Sequence, residues 1–191
     1  MNITTIGIDL AKNVFQIHGV DAKGWPVLKR RLSRDKLLPF FANLPACLIG
    51  IEACGSANHW ARQLSAIGHE VRQISPQYVK PYVKTNKNDY NDAEAICEAV
   101  SRPGMHFVPI KNIAQQDIQA LHRIRERLVR DRTALVNQTR GLLREYGVFL
   151  PVGIHPFRRQ ILEVLEDAQN ALLYRIPFVV IQAVLPCFLH S

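Results

Sequence analysis

Short stretches of alternating or continuous apolar residues mark the first half of the chain. The pattern predicts five β-strands, at residues 3–8, 14–20, 26–32, 46–51 and 69–74. The fourth stretch, ACLIGI, is apolar throughout, which is typical of a strand that is covered on both faces.

Helical spacing of apolar residues separates and follows these strands. It predicts helices at residues 35–43, 56–67, 89–100 and 114–145. The basic segment 76–88 (PQYVKPYVKTNKN) we expect to be a loop, and an acidic helix starts near Glu163. The order β-β-β-α-β-α-β predicts an α/β protein, in which helices flank a mixed sheet.

The predicted helix 114–145 carries two different faces. Leucines recur every seven residues at Leu121, Leu128, Leu135 and Leu142, a spacing that favours a coiled-coil or helical-hairpin seam. Roughly opposite this seam lie four arginines that could meet phosphate, Arg123, Arg127, Arg130 and Arg144.

The net charge of +8 is unevenly distributed, since residues 111–159 hold 10 Lys/Arg against 4 Asp/Glu. This excess favours a polyanionic partner such as nucleic acid, although a solvated helix face would give the same pattern. The four cysteines form no CxxC pair, and the N-terminus shows no signal pattern. The apolar tail is too short and too interrupted by proline to span a bilayer. We therefore expect a cytoplasmic protein without a membrane partner.

Two acids occur where predicted strands end. Asp9 closes the first strand and Glu52 follows the apolar run ACLIGI. Each alone is also typical of a turn or of a helix cap.

The predicted helix 89–100 adds two further acids on its buried side. Ala93, Ile96, Cys97 and Val100 define the buried face. Asp89 falls on that face and Asp92 about 60° to one side, by the helical rotation per residue. An N-cap role would account for Asp89 but not for Asp92.

Carboxylates turned toward a sheet repel each other and need a cation. Ligands with oxygen atoms alone suit Mg²⁺ or Mn²⁺, and two such ions can catalyse phosphodiester chemistry. Lys84 and Lys87 in the basic segment, and Lys12 beside Asp9, are candidate phosphate contacts; the same lysines would also suit an ordinary exposed loop.

Four separated motifs occur in order along the chain: IGIDLAKNVF, GIEACGSANHWAR, PYVKTNKNDYNDAEAI and RTALVNQTRGLLREYG. Together they closely resemble the DEDD transposases of bacterial insertion sequences, which are relatives of the Piv DNA invertase. The resemblance covers residues 1 to about 172.

The resemblance implies an RNase H-like fold of the RuvC type and metal-dependent DNA strand cleavage and transfer. It assigns the D-E-D-D ligands to Asp9, Glu52, Asp89 and Asp92. It also implies DNA as the substrate, homo-oligomerisation through the helix 114–145, and a structured guide RNA as a partner.

The resemblance suggests three regions. Residues 1–110 would be the catalytic domain, residues 111–150 a long basic helix, and residues 151–191 an acidic helix start with an apolar tail. The tail does not resemble the continuation of the family, so we expect a truncated copy that lacks the second domain and its attacking serine.

Three other functions compete with a transposase. One is a stand-alone RuvC-like nuclease that uses metal-bound water, and another is a non-catalytic fragment that binds nucleic acid and dimerises. An actin-type ATPase is disfavoured, because that fold uses Gly and Thr after its first Asp, where this chain has Ala11, Lys12 and Asn13.

Overall fold

A computed structural model describes residues 2–84 and 89–166, with the backbone alone at residues 89–90 and 165–166. The strands are β1 Thr5–Leu10, β2 Val14–Val20, β3 Pro26–Ser33, β4 Leu48–Glu52, β5 Glu70–Ile74 and β6 Phe107–Val108. The helices are α1 Leu37–Ala42, α2 Ala57–Ala66, α3 Pro76–Val79, α4 Asp89–Val100, α5 Ile113–Arg144 and α6 Ile154–Glu166. Short 3-10 turns occupy Arg34–Lys36 and Lys80–Tyr82.

The strands form one mixed sheet in the order β3-β2-β1-β4-β5-β6. β2 is antiparallel to both β1 and β3, whereas β4 and β5 run parallel to β1 after crossovers through α1 and α2. The predicted α/β class and mixed sheet are therefore confirmed.

The first strand is shifted relative to its predicted position. β1 begins at Thr5 and continues through Leu10, because its pairing with β2 extends as far as Leu10 and Phe15. Asp9 thus lies inside the strand, opposite Gln16, and not at its end as the sequence suggested.

One face of the sheet carries the main hydrophobic core. Alternate strand residues point to this face and pack against α1 and α2; they include Ile6, Ile8, Phe15, Ile17, Ile49 and Ile51. From α2, the buried Trp60 and Leu64 complete the packing, with Trp60 edge-on to Phe15. Residues between these positions point to the other face, which α4 covers.

Two glycines allow α4 to lie close against the sheet. Gly7 and Gly50 are paired across β1 and β4. A Cβ on Gly7 would clash with the carbonyl oxygen of Ala93 and the backbone nitrogen of Cys97, and a Cβ on Gly50 would lie 2.8 Å from Cβ of Val100. Any larger residue would push the helix away from the strands.

The segment after β5 is helical where we expected a loop. Ser75 is extended and Pro76 occupies the first turn of α3, where a proline costs no hydrogen bond. Val79 is buried in a cluster with Ile74 and Ile96, so apolar packing against α4 holds this segment in place.

The chain divides into two compact units, residues 1–116 and 117–191. In the second unit α5 and α6 share a small core formed by Val136, Leu143, Phe157 and Ile161. The predicted helix 114–145 is confirmed. The predicted start of the next helix near Glu163 is wrong, because α6 begins at Ile154, directly after Gly153 with its φ of 100°. In the described part of the chain no helix is long and apolar enough to cross a bilayer.

Candidate active site

Asp9 and Glu52 lie on the face of the sheet that α4 covers. Each follows by two residues a glycine that meets this helix, and side chains two apart on a strand share a face. The parallel register pairs Ile8 with Ile51, so its continuation by one residue brings Asp9 level with Glu52. Adjacent strands are about 4.8 Å apart, which places the two acids as neighbours.

The direction of α4 points its N-terminal end toward these acids. Cys97 lies over Gly7 and its Sγ donates to the carbonyl oxygen of Thr5 at 3.7 Å. Ala93, one turn earlier, contacts Gly7, which comes after Thr5 in β1. Going back along the helix thus goes forward along the strand, so the helix runs opposite to β1. Moving toward the start of the helix therefore moves along β1 toward Asp9.

Asp92 occupies the row of α4 that lies over β4. Ile96 and Val100 both contact Gly50, and Asp92 precedes Ile96 by one helical turn. This row continues beyond Gly50 toward Glu52. Asp89 begins α4, and its side chain lies outside the described residues.

Burial and a like charge act together on Glu52. Burial is the larger cause that raises the pKa of this carboxyl, and the nearby Asp92 raises it further. Lys80 acts in the opposite direction and lowers the pKa of Glu52. Acids from β4 and α4 are thus within electrostatic reach of each other.

The described part of the site is suited to a hard cation but does not form a complete ligand set. Partly buried carboxylates that repel each other gain from a divalent ion, and oxygen donors favour Mg²⁺ or Mn²⁺ over zinc. Over residues 2–84 and 91–164, no three Asp, Glu, His or Cys side chains converge closely enough to hold a metal ion. The fourth predicted ligand, Asp89, falls outside that range.

Arg34 holds the turn that follows Asp9, a role the sequence did not indicate. Its guanidinium donates to the carbonyl oxygen of Lys12 from Nε at 3.2 Å and from the terminal nitrogen at 2.9 Å. It also stacks over the rings of Phe15 and Trp60, at 5.6 and 5.5 Å from their centroids. Lys12 itself is exposed and follows Asp9 by three residues in the chain.

The basic residues of the segment 76–88, which precedes α4, differ in their placement. Lys84 forms an ion pair of 2.5 Å with Glu94 of α4. Lys87 lies outside the described residues. Lys80, in the same segment, acts electrostatically on Glu52.

The four predicted arginines belong to the second unit. All are exposed on α5 at Arg123, Arg127, Arg130 and Arg144. Arg127 pairs with Asp131 at 2.7 Å, one turn further along the helix. At such exposure an i,i+4 pair contributes only about 0.3–0.5 kcal/mol, so the guanidinium can exchange partners.

The known proteins that this chain resembles are transposases. The family model for DEDD-type transposases of the IS110 group, described as Transposase, matches residues 6–148. A probable family 20 transposase of Pseudomonas aeruginosa is 58% identical over 148 residues, covering 78% of this chain and 44% of that protein.

Two further relatives are transposases for insertion sequence elements. That of IS1328 from Yersinia enterocolitica is 49% identical over 83% of this chain and 47% of its own length. That of IS1111A from Coxiella burnetii is 47% identical over 91% of this chain and 48% of its own length. The chain thus spans about half the length of the curated relatives it matches.

Proposed function

Because the chain belongs to the DEDD transposase family of insertion sequences, we propose that its first unit is the metal-dependent catalytic domain of a DNA transposase. The substrate is DNA, and the reaction is strand cleavage and transfer. The divalent cation is Mg²⁺ or Mn²⁺, and Asp9, Glu52, Asp89 and Asp92 are its ligands.

The observation that carries this proposal is the coupling between Glu52 and Asp92. A carboxylate whose pKa is raised both by burial and by a second carboxylate is destabilised in its charged form. The repulsion between two such acids costs folding free energy, which a bound cation would offset. Perturbed acids in such an arrangement favour a functional site over a structural one.

In the proposed mechanism the sheet fixes the ligands and α4 completes the site. The adjacent strands β1 and β4 hold Asp9 and Glu52, and the glycine pair brings Asp92 toward them. When bound, divalent ions activate an attacking oxygen and stabilise the leaving oxygen of a phosphodiester. Lys12 and Lys80 supply positive charge beside these acids and orient the DNA backbone.

We extend the proposal to the fold and to the partners of the chain. The sheet order, with acids on neighbouring central strands, supports the RNase H-like assignment. The exposed arginines of α5 contact phosphate of DNA or of a structured guide RNA. On the same helix Leu121 and Leu128 are exposed by 67% and 63%, which supports pairing with α5 of a second copy through a coiled coil.

The test is the thermal stability of the chain with and without divalent cations. A ligand present at 100 times its Kd stabilises the folded state by about 2.7 kcal/mol. We expect Mg²⁺ and Mn²⁺ to raise the melting temperature, and Asp92→Asn to remove most of this rise. The same substitution should raise the melting temperature of the metal-free chain, since it relieves repulsion on Glu52.

A matched control lies on the same helix. Glu98 pairs with Arg102 at 2.5 Å and is not coupled to Glu52. Glu98→Gln should therefore retain the full response to metal. An Asp92→Asn protein with an unchanged metal response would contradict the proposed site.

A further inference from the structure

Gln16 is a buried polar side chain on the face of the sheet that carries the acids. Only 5% of its surface is exposed. Its neighbours Phe15 and Ile17 point into the core on the α1 and α2 face, so Gln16 points to the α4 face.

The strand register places Gln16 directly beside Asp9. The two residues are paired across the antiparallel strands β1 and β2. Side chains of such a pair lie on the same face, with Cβ atoms about 4.5–5.5 Å apart.

The amide oxygen of Gln16 is closed to solvent, and within the described residues no group donates a hydrogen bond to it. The second buried glutamine of the sheet differs in this respect, since Gln73 donates from Nε2 to Oδ1 of Asn58 at 3.4 Å. A buried carbonyl oxygen without a partner destabilises the fold. A bound ligand that contacts this oxygen would supply the missing partner.

We propose that Gln16 supplies a neutral oxygen ligand to the divalent cation bound by Asp9. Amide carbonyl oxygens of Asn and Gln are ligands for hard cations, as carboxylates are. A neutral donor adds a ligand without adding negative charge beside Asp9, its partner across the strands. The inference rests on the proposed function, because it deepens the same metal site.

The experiment measures the affinity for Mn²⁺ alone, by calorimetric titration, together with the melting temperature of the metal-free chain. Gln16→Met keeps a similar volume and removes the amide. We expect this variant to bind Mn²⁺ about tenfold more weakly, while its metal-free melting temperature stays equal or rises. A purely structural glutamine would give the opposite pattern, with lower stability and unchanged affinity.

Two further variants make the result specific. Gln16→Glu should lower the metal-free melting temperature, because it adds a charge beside Asp9, and should bind Mn²⁺ at least as tightly as the unmodified chain. Gln73→Met, the matched control on the opposite face, should lose stability and keep the affinity for Mn²⁺.

The outcomes separate this inference from the proposed function. If the unmodified chain binds Mn²⁺ and Gln16→Met binds it equally well, Gln16 is not a ligand and the carboxylate site stands. If the unmodified chain does not bind Mn²⁺, both the carboxylate site and the role of Gln16 are wrong.

Discussion

Gly7 and Gly50 face each other across the parallel strands β1 and β4, and α4 packs directly on both. The absence of two side chains lets α4 lie close to the strands that carry Asp9 and Glu52. The pair therefore bears on the proposed site as well as on packing. Its consequences can be measured independently of any DNA substrate.

Replacing Gly7 with alanine should be strongly destabilising. The added methyl group meets the backbone of Ala93 and Cys97, which cannot rotate away. We expect a loss of about 3 kcal/mol or more in the free energy of unfolding, measured by denaturant titration. Gly50→Ala should cost less, since it meets side-chain atoms of Ile96 and Val100.

Gly141 provides the control for this prediction. It lies within α5, and a Cβ there meets nothing within 4 Å. Gly141→Ala should stabilise the chain by about 0.5–1 kcal/mol, because alanine favours a helix. A Gly7→Ala protein as stable as the unmodified chain would show that α4 does not depend on this close contact.

The arginines of α5 should determine how DNA affinity depends on salt. Each phosphate contact contributes about 0.9 to the slope of log K against log salt concentration for B-DNA. We expect replacement of Arg123, Arg127 and Arg130 by glutamine to reduce this slope by about 2.7, measured by fluorescence anisotropy with duplex DNA. Gln119→Ser on the same helix serves as the control, and an unchanged slope in the triple variant would rule out phosphate contact by these residues.

The exposed leucines of α5 should determine the oligomeric state. Leu121 and Leu128 expose apolar surface to water. Pairing with α5 of a second copy would remove this surface from water. We expect the double change to serine to convert an oligomer into a monomer in light scattering coupled to gel filtration, with the helical circular dichroism signal retained. A monomer already present in the unmodified chain would argue against the coiled coil.

The cysteines should differ sharply in their reactivity. Burial raises the pKa of the Cys97 thiol to about 12 and that of Cys47 to about 11. Cys54 is exposed. At pH 8 a maleimide or disulfide reagent should therefore label Cys54 rapidly, whereas Cys47 and Cys97 should react only after unfolding. Peptide mapping by mass spectrometry distinguishes the sites, and rapid labelling of Cys97 would contradict its position between α4 and the sheet.

Much of the fold and part of the site follow from sequence pattern alone. Apolar spacing predicted five of the six strands and the helices α1, α2, α4 and α5, because strands and helices space their apolar residues with different periods. It missed β6, since two residues carry no periodicity. The start of α6 was predicted too late in the chain, and Pro156 is compatible with the observed helix because proline is tolerated in the first turn.

Less of the site could be predicted from the sequence, because its geometry depends on tertiary contacts. Strand ends and helical spacing predicted that Asp9, Glu52 and Asp92 converge, and their role as ligands stays a prediction. In the structure Asp9 and Glu52 lie on the face of the sheet that α4 covers, and Asp92 acts electrostatically on Glu52. The roles of Gly7 and Arg34 depend on residues distant in sequence, so no local pattern indicates them. The helix α3 was predictable in principle, since Ser75 followed by Pro76 is a recognised helix start.

The most direct test of the carboxylate site is a count of bound Mn²⁺ ions by electron paramagnetic resonance. Free Mn²⁺ gives a six-line signal that decreases when the ion binds protein. We predict that the unmodified chain removes this signal in proportion to its concentration, and that the double variant Glu52→Gln, Asp92→Asn leaves it at the level of free ion. Equal Mn²⁺ binding by both proteins would show that these acids do not hold the metal, and the account of the active site would then be wrong.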